Sequence, residues 1–216
     1  MPIEVPPNDS RSQTTAEPAV TIALIGATPI AEQIASRALA AGHRVVIDDI
    51  SDARLQATSI HLRDVVGAQH RCAPGPQDQS DSPQSGFSSL PPGSSIDNSP
   101  IPNLHLTQSI ESAIRQSDFL IETLPDDLEV KLELFTLFDK FAKPTAIFIT
   151  TGNIPIDDLA EITFCPDRCL AVHLTATSNE SELSVQLVPG KQTSQQTLAT
   201  CANIFRNFFV SERRWS

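Results

Sequence analysis

Apolar positions first acquire a regular spacing at Val20, and from there short apolar runs alternate with amphipathic ones. Residues 22–25 (IALI) form a continuous apolar run of strand type, and residues 29–41 carry a helical period closed by Gly42. Residues 45–48 predict a second strand, and a helix from about Ser51 places Leu55, Leu62 and Val66 on one face. The pattern then stops. Residues 72–103 are rich in Pro, Ser and Gly, with acidic residues and no apolar period, which predicts a disordered insert. Residues 1–18 share that character and predict a flexible tail, because such a segment buries too little surface to offset the entropy of ordering.

Regular spacing returns at Leu104. Residues 104–106 predict a strand, residues 109–116 a short helix and residues 119–122 a further strand. A helix from about Asp126 is predicted to start with a capping box, Asp126 with Glu129, and to carry the stripe Leu128, Leu132, Phe135, Phe138 and Phe141. Strands at 146–149, 169–174 and 185–188 follow, with a helical segment at 156–162 between the first two. A last helix over 194–208 opens at Thr193 with Gln196 three residues on, and is striped by Leu198, Cys201, Phe205 and Phe208. Alternating β and α elements predict an α/β fold with a doubly wound, mainly parallel sheet, a single domain over 19–216 interrupted by the insert. Ligands of such sheets lie beyond the carboxyl ends of the strands, so Gly26, Asp49, Glu122, Thr150 and His173 are expected along one edge.

Composition narrows the partners. A formal net charge of -11 and no Lys/Arg cluster argue against nucleic acid. No apolar run approaches the roughly 18 to 20 residues that span a bilayer, and the N-terminus lacks the layout of a secretory signal, so a cytoplasmic protein with no membrane partner is expected. Cys72, Cys165, Cys169 and Cys201 are few and scattered, which predicts reduced, small buried side chains over a disulfide framework or a metal site.

Chemistry concentrates in two places. The stretch TIALIGATPIAEQIASRALAAGHRVVIDD has the strand, turn, helix, strand and acidic residue of a dinucleotide-binding βαβ unit. Its turn reads Gly26-Ala27-Thr28-Pro29-Ile30-Ala31 in place of G-x-G-x-x-G. Ala31 can replace the third glycine. Thr28 puts a β-branched side chain where phosphate oxygens would lie, although its hydroxyl could donate a hydrogen bond, and Pro29 removes one N–H from the anion site. Asp49 fits the acidic residue that accepts from an adenosine ribose and disfavours a 2′-phosphate, which favours NAD over NADP; it fits equally a residue that opens a loop and the following helix.

The second half, DFLIETLPDDLEVK, ELFTLFDKFAKPTAIFIT, PDRCLAVHL and VQLVPGKQTS, resembles the NAD-binding domain of the 3-hydroxyacyl-CoA dehydrogenase family, with lambda-crystallin among its relatives. The likeness is collinear from about Val20 to Phe208 and implies a Rossmann-type fold, NAD as cofactor and a 3-hydroxyacyl-CoA or 3-hydroxy acid ligand. It implies that His173 takes the proton of the substrate hydroxyl. Aligning VQLVP on the family's V-E-L-V-P puts Gln186, one residue further from the histidine than usual, where an acidic partner orients that histidine, whereas an ungapped alignment puts Val185 there; neither brings a negative charge to an imidazolium. The family's H-F-F-N-P reads His173-Leu174-Thr175-Ala176-Thr177 here, and its S-N-T-S-S reads Thr150-Thr151-Gly152-Asn153, so Thr150 keeps a hydroxyl. Glu122 stands in the family's E-A position. The resemblance also implies a following helical domain that forms the dimer and closes the cleft; with the chain ending at Ser216, the expectation is an open site with reduced redox chemistry, completed if at all by a second copy or a partner chain.

Overall fold

The computed structural model describes residues 19–71, 101–176 and 183–209. Among these, seven strands form one sheet in the order β3-β2-β1-β4-β5-β6-β7. They are β1 (Thr21–Ile25), β2 (Arg44–Asp48), β3 (Leu104–Thr107), β4 (Phe119–Glu122), β5 (Ile147–Thr151), β6 (Cys169–Ala176) and β7 (Leu183–Pro189). β1 to β6 run parallel, and β7 alone is antiparallel, against β6. The strand order reverses between β1 and β4, the crevice where ligands of such sheets sit.

Helices cover both faces. Ile34, Ala35 and Ala38 of α1 (Pro29–Ala40), Leu55 and Leu62 of α2 (Asp52–Arg71) and Phe205 of α6 (Gln195–Phe209) pack with Ile22, Leu24, Val45, Ile47 and Ile149. Across the sheet, Ile114 of α3 (Ile110–Gln116), Phe135 and Phe138 of α4 (Leu128–Phe141) and Leu159 of α5 (Ile156–Ala160) pack on Ala23, Val46, Leu120 and Phe148. Successive strand residues thus feed opposite cores, which is why the central strands read as unbroken apolar runs. The second core centres on three rings: Phe138 lies 5.5 Å from Phe148, and Phe135 meets Phe148 edge-on at 6.2 Å.

The predicted elements are all present, with four local corrections. Order resumes before Leu104: residues 101–103 make a turn in which Asn103 O accepts from Val45 N–H, so backbone pairing with β2 holds what composition alone assigned to the insert. Residues 72–100 and 1–18, where the rest of the predicted insert and tail fall, lie outside the described residues. Asp127, not Asp126, caps α4, its carboxylate accepting from Glu129 N–H and Val130 N–H. The buried stripe of α4 is rotated from the predicted one: Leu128 is 45% exposed, and Lys131, Leu134, Phe135 and Phe138 face the sheet. Ser194, not Thr193, caps α6 by accepting from Thr197 N–H, while Thr193 Oγ1 donates to Cys169 O and ties the helix entry to β6. Cys165, Cys169 and Cys201 are free, buried thiols.

The aromatic core should dominate stability. Phe138→Ala is expected to lower the unfolding free energy by about 3–5 kcal/mol, read from urea denaturation; a loss below about 1 kcal/mol would show that α4 is held by something other than this cluster.

Candidate cofactor site

The turn after β1 is built for a close approach. Gly26 has φ 104°, and a Cβ there would stand 2.8 Å from Leu124 Cδ2. Thr123, just past β4, donates its hydroxyl to Ile25 O and Gly26 O at 3.0 and 2.9 Å, locking the turn onto the neighbouring strand. Thr28 caps α1, its Oγ1 accepting from Ala31 N–H at 3.2 Å, and Pro29 begins the helix without an N–H. Ala31 is fully buried, which lets α1 lie close on the sheet. Two donors of this turn are taken by the chain's own side chains: Ala31 N–H by Thr28, and Ala27 N–H by Asp49 Oδ2 at 2.9 Å. The anion-binding capacity of the helix start is correspondingly reduced.

Asp48 ends β2 and Asp49 follows it, each 5% exposed. Asp49 is saturated: Oδ1 accepts from Ser51 N–H at 2.7 Å and from Arg54 Nη2 at 2.6 Å, while Oδ2 accepts from Ala27 N–H and Arg54 Nε, both at 2.9 Å. Burial raises its pKa, yet the Arg54 fork and the two amides outweigh that and hold it below the usual carboxylate range. A ribose hydroxyl therefore reaches Asp49 only by taking over an existing bond. Arg54, 57% exposed, is the replaceable partner. Asp48 stands in a different environment, with a buried Oδ1 that has no hydrogen-bond partner. Burial, and then the neighbouring Asp49 charge, push its pKa up to about 6. Both residues border a cleft of about 250 Å³ whose walls include Ile25, Ile110, Leu124 and Leu137, opening beside Gly26.

Deeper in the sheet lies a charged network that sequence reasoning did not single out. Lys131 Nζ, fully buried, sits 3.0 Å from Glu122 Oε2 and donates to Asp126 Oδ1 at 2.9 Å and to Thr151 O at 2.6 Å. Thr150 Oγ1 donates to Glu122 Oε2 at 2.7 Å, and Leu124 N–H donates to Glu122 Oε1. Burial pushes Glu122 upward against the pull of Thr150 and Lys131, whereas the Lys131 ammonium, then Asn153 N–H, lower Asp126. Gly152, at φ 102°, lets the loop after β5 press on Asp126; a side chain there would strike the carboxylate. Glu122 and Thr150 thus face each other within the protein and spend their hydrogen bonds on it. Lys131 was detectable in principle: positions 131, 134, 135 and 138 share one helical face, and a lysine amid three large apolar residues signals a buried cation.

His173 extends beyond this network. β6 outruns β5, whose Thr150 pairs with Ala171, so His173 stands past the sheet's main edge. Its antiparallel partner is Gln186, directly opposite on β7, with His173 half-buried and Gln186 exposed. Directly opposed residues share a face, their Cβ atoms about 4.5–5.5 Å apart. Strand alternation adds that Asp48, Glu122, Thr150, His173 and Gln186 all lie on the face covered by α3, α4 and α5, because Val46, Leu120, Phe148, Ala171 and Val188 do. Of the expected edge residues, Glu122 and Thr150 hydrogen-bond each other, Asp49 holds Ala27 N–H beside Gly26, and His173 stands at the far end.

A strand-turn-helix with an acidic residue after β2, at the point where strand order reverses, is the arrangement of a nucleotide-binding domain. The sequence model of the 3-hydroxyacyl-CoA dehydrogenase NAD-binding domain matches residues 21–209. The chain belongs to this family. An L-carnitine dehydrogenase of Burkholderia mallei is 30% identical over 189 residues, covering 86% of the chain and 51% of the relative. One from Staphylococcus epidermidis is 31% identical over 113 residues, covering 51% of the chain and 35% of the relative. The chain thus spans about half or less of the curated relatives it matches. The solved (S)-3-hydroxybutyryl-CoA dehydrogenase of Ralstonia eutropha superimposes with a TM-score of 0.67 at 19% identity, covering 89% of the chain and 62% of that structure, a likeness of fold. The family's NAD fits the adenosine end, where apolar walls and two carboxylates adjoin Gly26; at the pyrophosphate end Thr28 and Asp49 have taken donors. Among the described residues no helix is long and apolar enough to cross a membrane.

Lys131→Met should cost about 3–5 kcal/mol, because it strands Glu122 as a buried unpaired charge, and the double variant with Glu122→Gln should recover much of that. Denaturant titration of the three proteins checks both; additive losses would overturn the pairing. Asp48 supplies a test in pH. Its folded pKa lies above its ordinary 3.8, so folding favours the protonated form and ionisation costs stability as pH rises from about 4 through about 6. Asp48→Asn should therefore raise the melting temperature at pH 8 relative to the parent, with the gain shrinking to nothing by pH 4.

Proposed function

We propose that this domain binds NAD(H) chiefly through its adenosine half and serves a redox centre that is weakened or lost at His173. The observation that carries the weakened centre is the pairing of His173 with Gln186 across β6 and β7. When bound, NAD supplies the hydride acceptor. The chain's part is to hold the adenosine ribose with Asp49, to let the backbone of Gly26 approach the pyrophosphate, and to take the substrate hydroxyl proton at His173. Gln186 can accept a hydrogen bond from the imidazole and so orient it, but it leaves the imidazolium that forms without a compensating charge. For scale, converting the carboxylate that orients a catalytic histidine into its amide costs serine proteases about 10⁴ in turnover.

Relatives named for L-carnitine and 3-hydroxybutyryl-CoA support a small 3-hydroxy acid or an acyl thioester as the ligand, with His173 alternatively retained for proton transfer without redox. A second copy or a partner chain would complete the cleft. Free, buried thiols at Cys165, Cys169 and Cys201 suit a reducing, cytoplasmic setting.

Calorimetry with NAD, NADH and an NADP control tests the first part. The expected dissociation constant is near 100 µM, about −5.5 kcal/mol, lost in Asp49→Ala and tightened several-fold in Arg54→Ala; no binding at millimolar NAD overturns it. Gln186→Glu tests the second. It should raise turnover of a 3-hydroxyacyl thioester by about 10-fold or more, with a new acidic limb in the pH profile. Wild-type turnover already at about 10 s⁻¹, the ordinary range for enzymes, and abolished by His173→Ala, would overturn the weakened centre.

A further inference from the structure

The pairing of Asp49 with Arg54 leaves part of a guanidinium open at the mouth of the cleft. Arg54 meets Asp49 side-on, donating from Nε to Oδ2 at 2.9 Å and from Nη2 to Oδ1 at 2.6 Å. A guanidinium carries five N–H donors in a fixed plane, and this contact occupies one on Nε and one on Nη2. Both N–H groups of Nη1 and the second of Nη2 have no partner among the described residues, and the side chain is 57% exposed. They make up the end-on fork of the group, the geometry that takes two oxygens of a phosphate. Asp49 is itself buried and pinned by Ala27 N–H and Ser51 N–H, so it holds the guanidinium in one orientation. Arg54 borders the cleft beside Gly26, together with Asp49 and Ile50.

An acidic residue after the second strand ordinarily accepts from the ribose 2′-hydroxyl, and its free charge repels a phosphate on that oxygen. Here the charge is matched by a cation at 2.6 Å. A plain ribose hydroxyl has to displace Arg54 to reach Asp49, whereas a phosphate on that hydroxyl can meet the open end of Arg54 and leave the pair intact. We propose that Arg54 makes this a site for the 2′-phosphorylated dinucleotide, NADP, as well as for NAD, with the 2′-phosphate held on the Nη1/Nη2 fork. The inference rests on the reading that an adenosine ribose sits at Asp49, and it goes beyond that reading in the substituent the ribose carries. The anchor falls where the rest of the site is weak, since Thr28 and Asp49 take two amides of the turn that would meet a pyrophosphate. Asp48 and Glu133 also border the cleft and oppose a phosphate, but neither contacts Arg54, and a contact pair outweighs more distant charges screened by solvent. Asp52, two residues before Arg54, accepts from Gln56 and borders a separate groove beside β3.

Calorimetry on the full chain compares NADP with NAD, and adenosine 2′,5′-bisphosphate with 5′-AMP, for the wild type and for Arg54→Ala. The wild type should bind each 2′-phosphorylated ligand at least as tightly as its counterpart. Arg54→Ala should move the two cofactors in opposite directions, NADP weaker by about 10-fold, the scale of a charge-assisted pair, and NAD tighter, so that NAD is then preferred. Raising salt from about 0.05 to about 0.5 M should weaken NADP more than NAD, because the contact is exposed. If Arg54→Ala fails to fold, Arg54→Gln replaces it: its amide can still donate to Asp49 but offers no charged fork, and the same shift is expected. A wild-type preference for NAD, or NADP binding unchanged in the variant, overturns the assignment and leaves NAD binding intact. Preference for the bisphosphate over AMP without any dinucleotide binding upholds the 2′-phosphate site and overturns the cofactor reading. Failure of every nucleotide to bind overturns both.

Discussion

A single buried ammonium organises the working edge of the sheet. Lys131 reaches from α4 into the space between β4 and β5 and ties together Glu122, Asp126 and the Thr151 carbonyl, each from a different segment. Removing either member of such a pair exposes the other's desolvation cost, so the pair acts as a constraint on geometry more than as a net source of stability. Its consequences spread outward. Glu122 Oε1 receives Leu124 N–H, which fixes the loop after β4, and Leu124 and Thr123 in turn hem in Gly26. Asp126 receives both the backbone and side-chain N–H groups of Asn153, which fixes the loop after β5. The turn that would meet a pyrophosphate is therefore shaped by a lysine two elements away.

A second constraint is that the chain satisfies its own nucleotide-site donors. In a glycine-rich turn the amides stay available because no side chain competes for them. Thr28 and Asp49 compete here, each taking one amide of the turn, and Arg54 fills what remains of Asp49. The helix start is well capped, and a capped start is a poorer anion site. Stability and cofactor affinity are opposed at this turn. Binding at this turn must replace bonds that already exist, which under the proposed reading favours a ligand gripped at its adenosine end, where the cleft is apolar.

Legibility in the sequence followed the range of the interaction. Periodicity and alternation are local, so every described strand and α-helix was readable, as were Phe119–Glu122 to the residue and the buried face of α2 at Leu55, Leu62 and Val66. Errors arose where neighbours in sequence offered equivalent chemistry. Asp126 and Asp127 both suit a cap, and only the pull of Lys131 and Asn153 on Asp126 leaves the cap to Asp127. Thr193 and Ser194 form the same kind of pair, decided by the Cys169 carbonyl 24 residues away. Residues 101–103, Ile-Pro-Asn, looked like insert because they close a Pro/Ser-rich run without apolar period, but Ile101 packs on the core and Asn103 O accepts from Val45 N–H. The family resemblance supplied His173 and Gln186, which no local pattern marks; the register of β6 and β7 sets them opposite each other. Asp48 was invisible for a different reason: beside Asp49 it reads as solvated, and only the packed structure separates a saturated carboxylate from an unsatisfied one.

The shared face of Asp48, Glu122, Thr150 and His173 bears on why charge at the far end is hard to supply. A proton arriving at His173 needs a nearby negative charge to stabilise it, and the face holds carboxylates already committed. Glu122 is matched by Lys131 inside a buried network, and its attraction for a second cation is correspondingly spent. Asp48 stands four strand positions across the sheet from β6, beyond β1, β4 and β5, and is itself held toward neutrality by burial. Gln186 is the residue in register with His173 and carries no charge. Under the proposed role of His173, the scaffold keeps the pairing of an acid-base pair while Gln186 brings no charge to it. On the proposed reading, a single amide-to-carboxylate change at the exposed Gln186 returns that charge without disturbing either core, so the weakness lies in one side chain rather than in the fold.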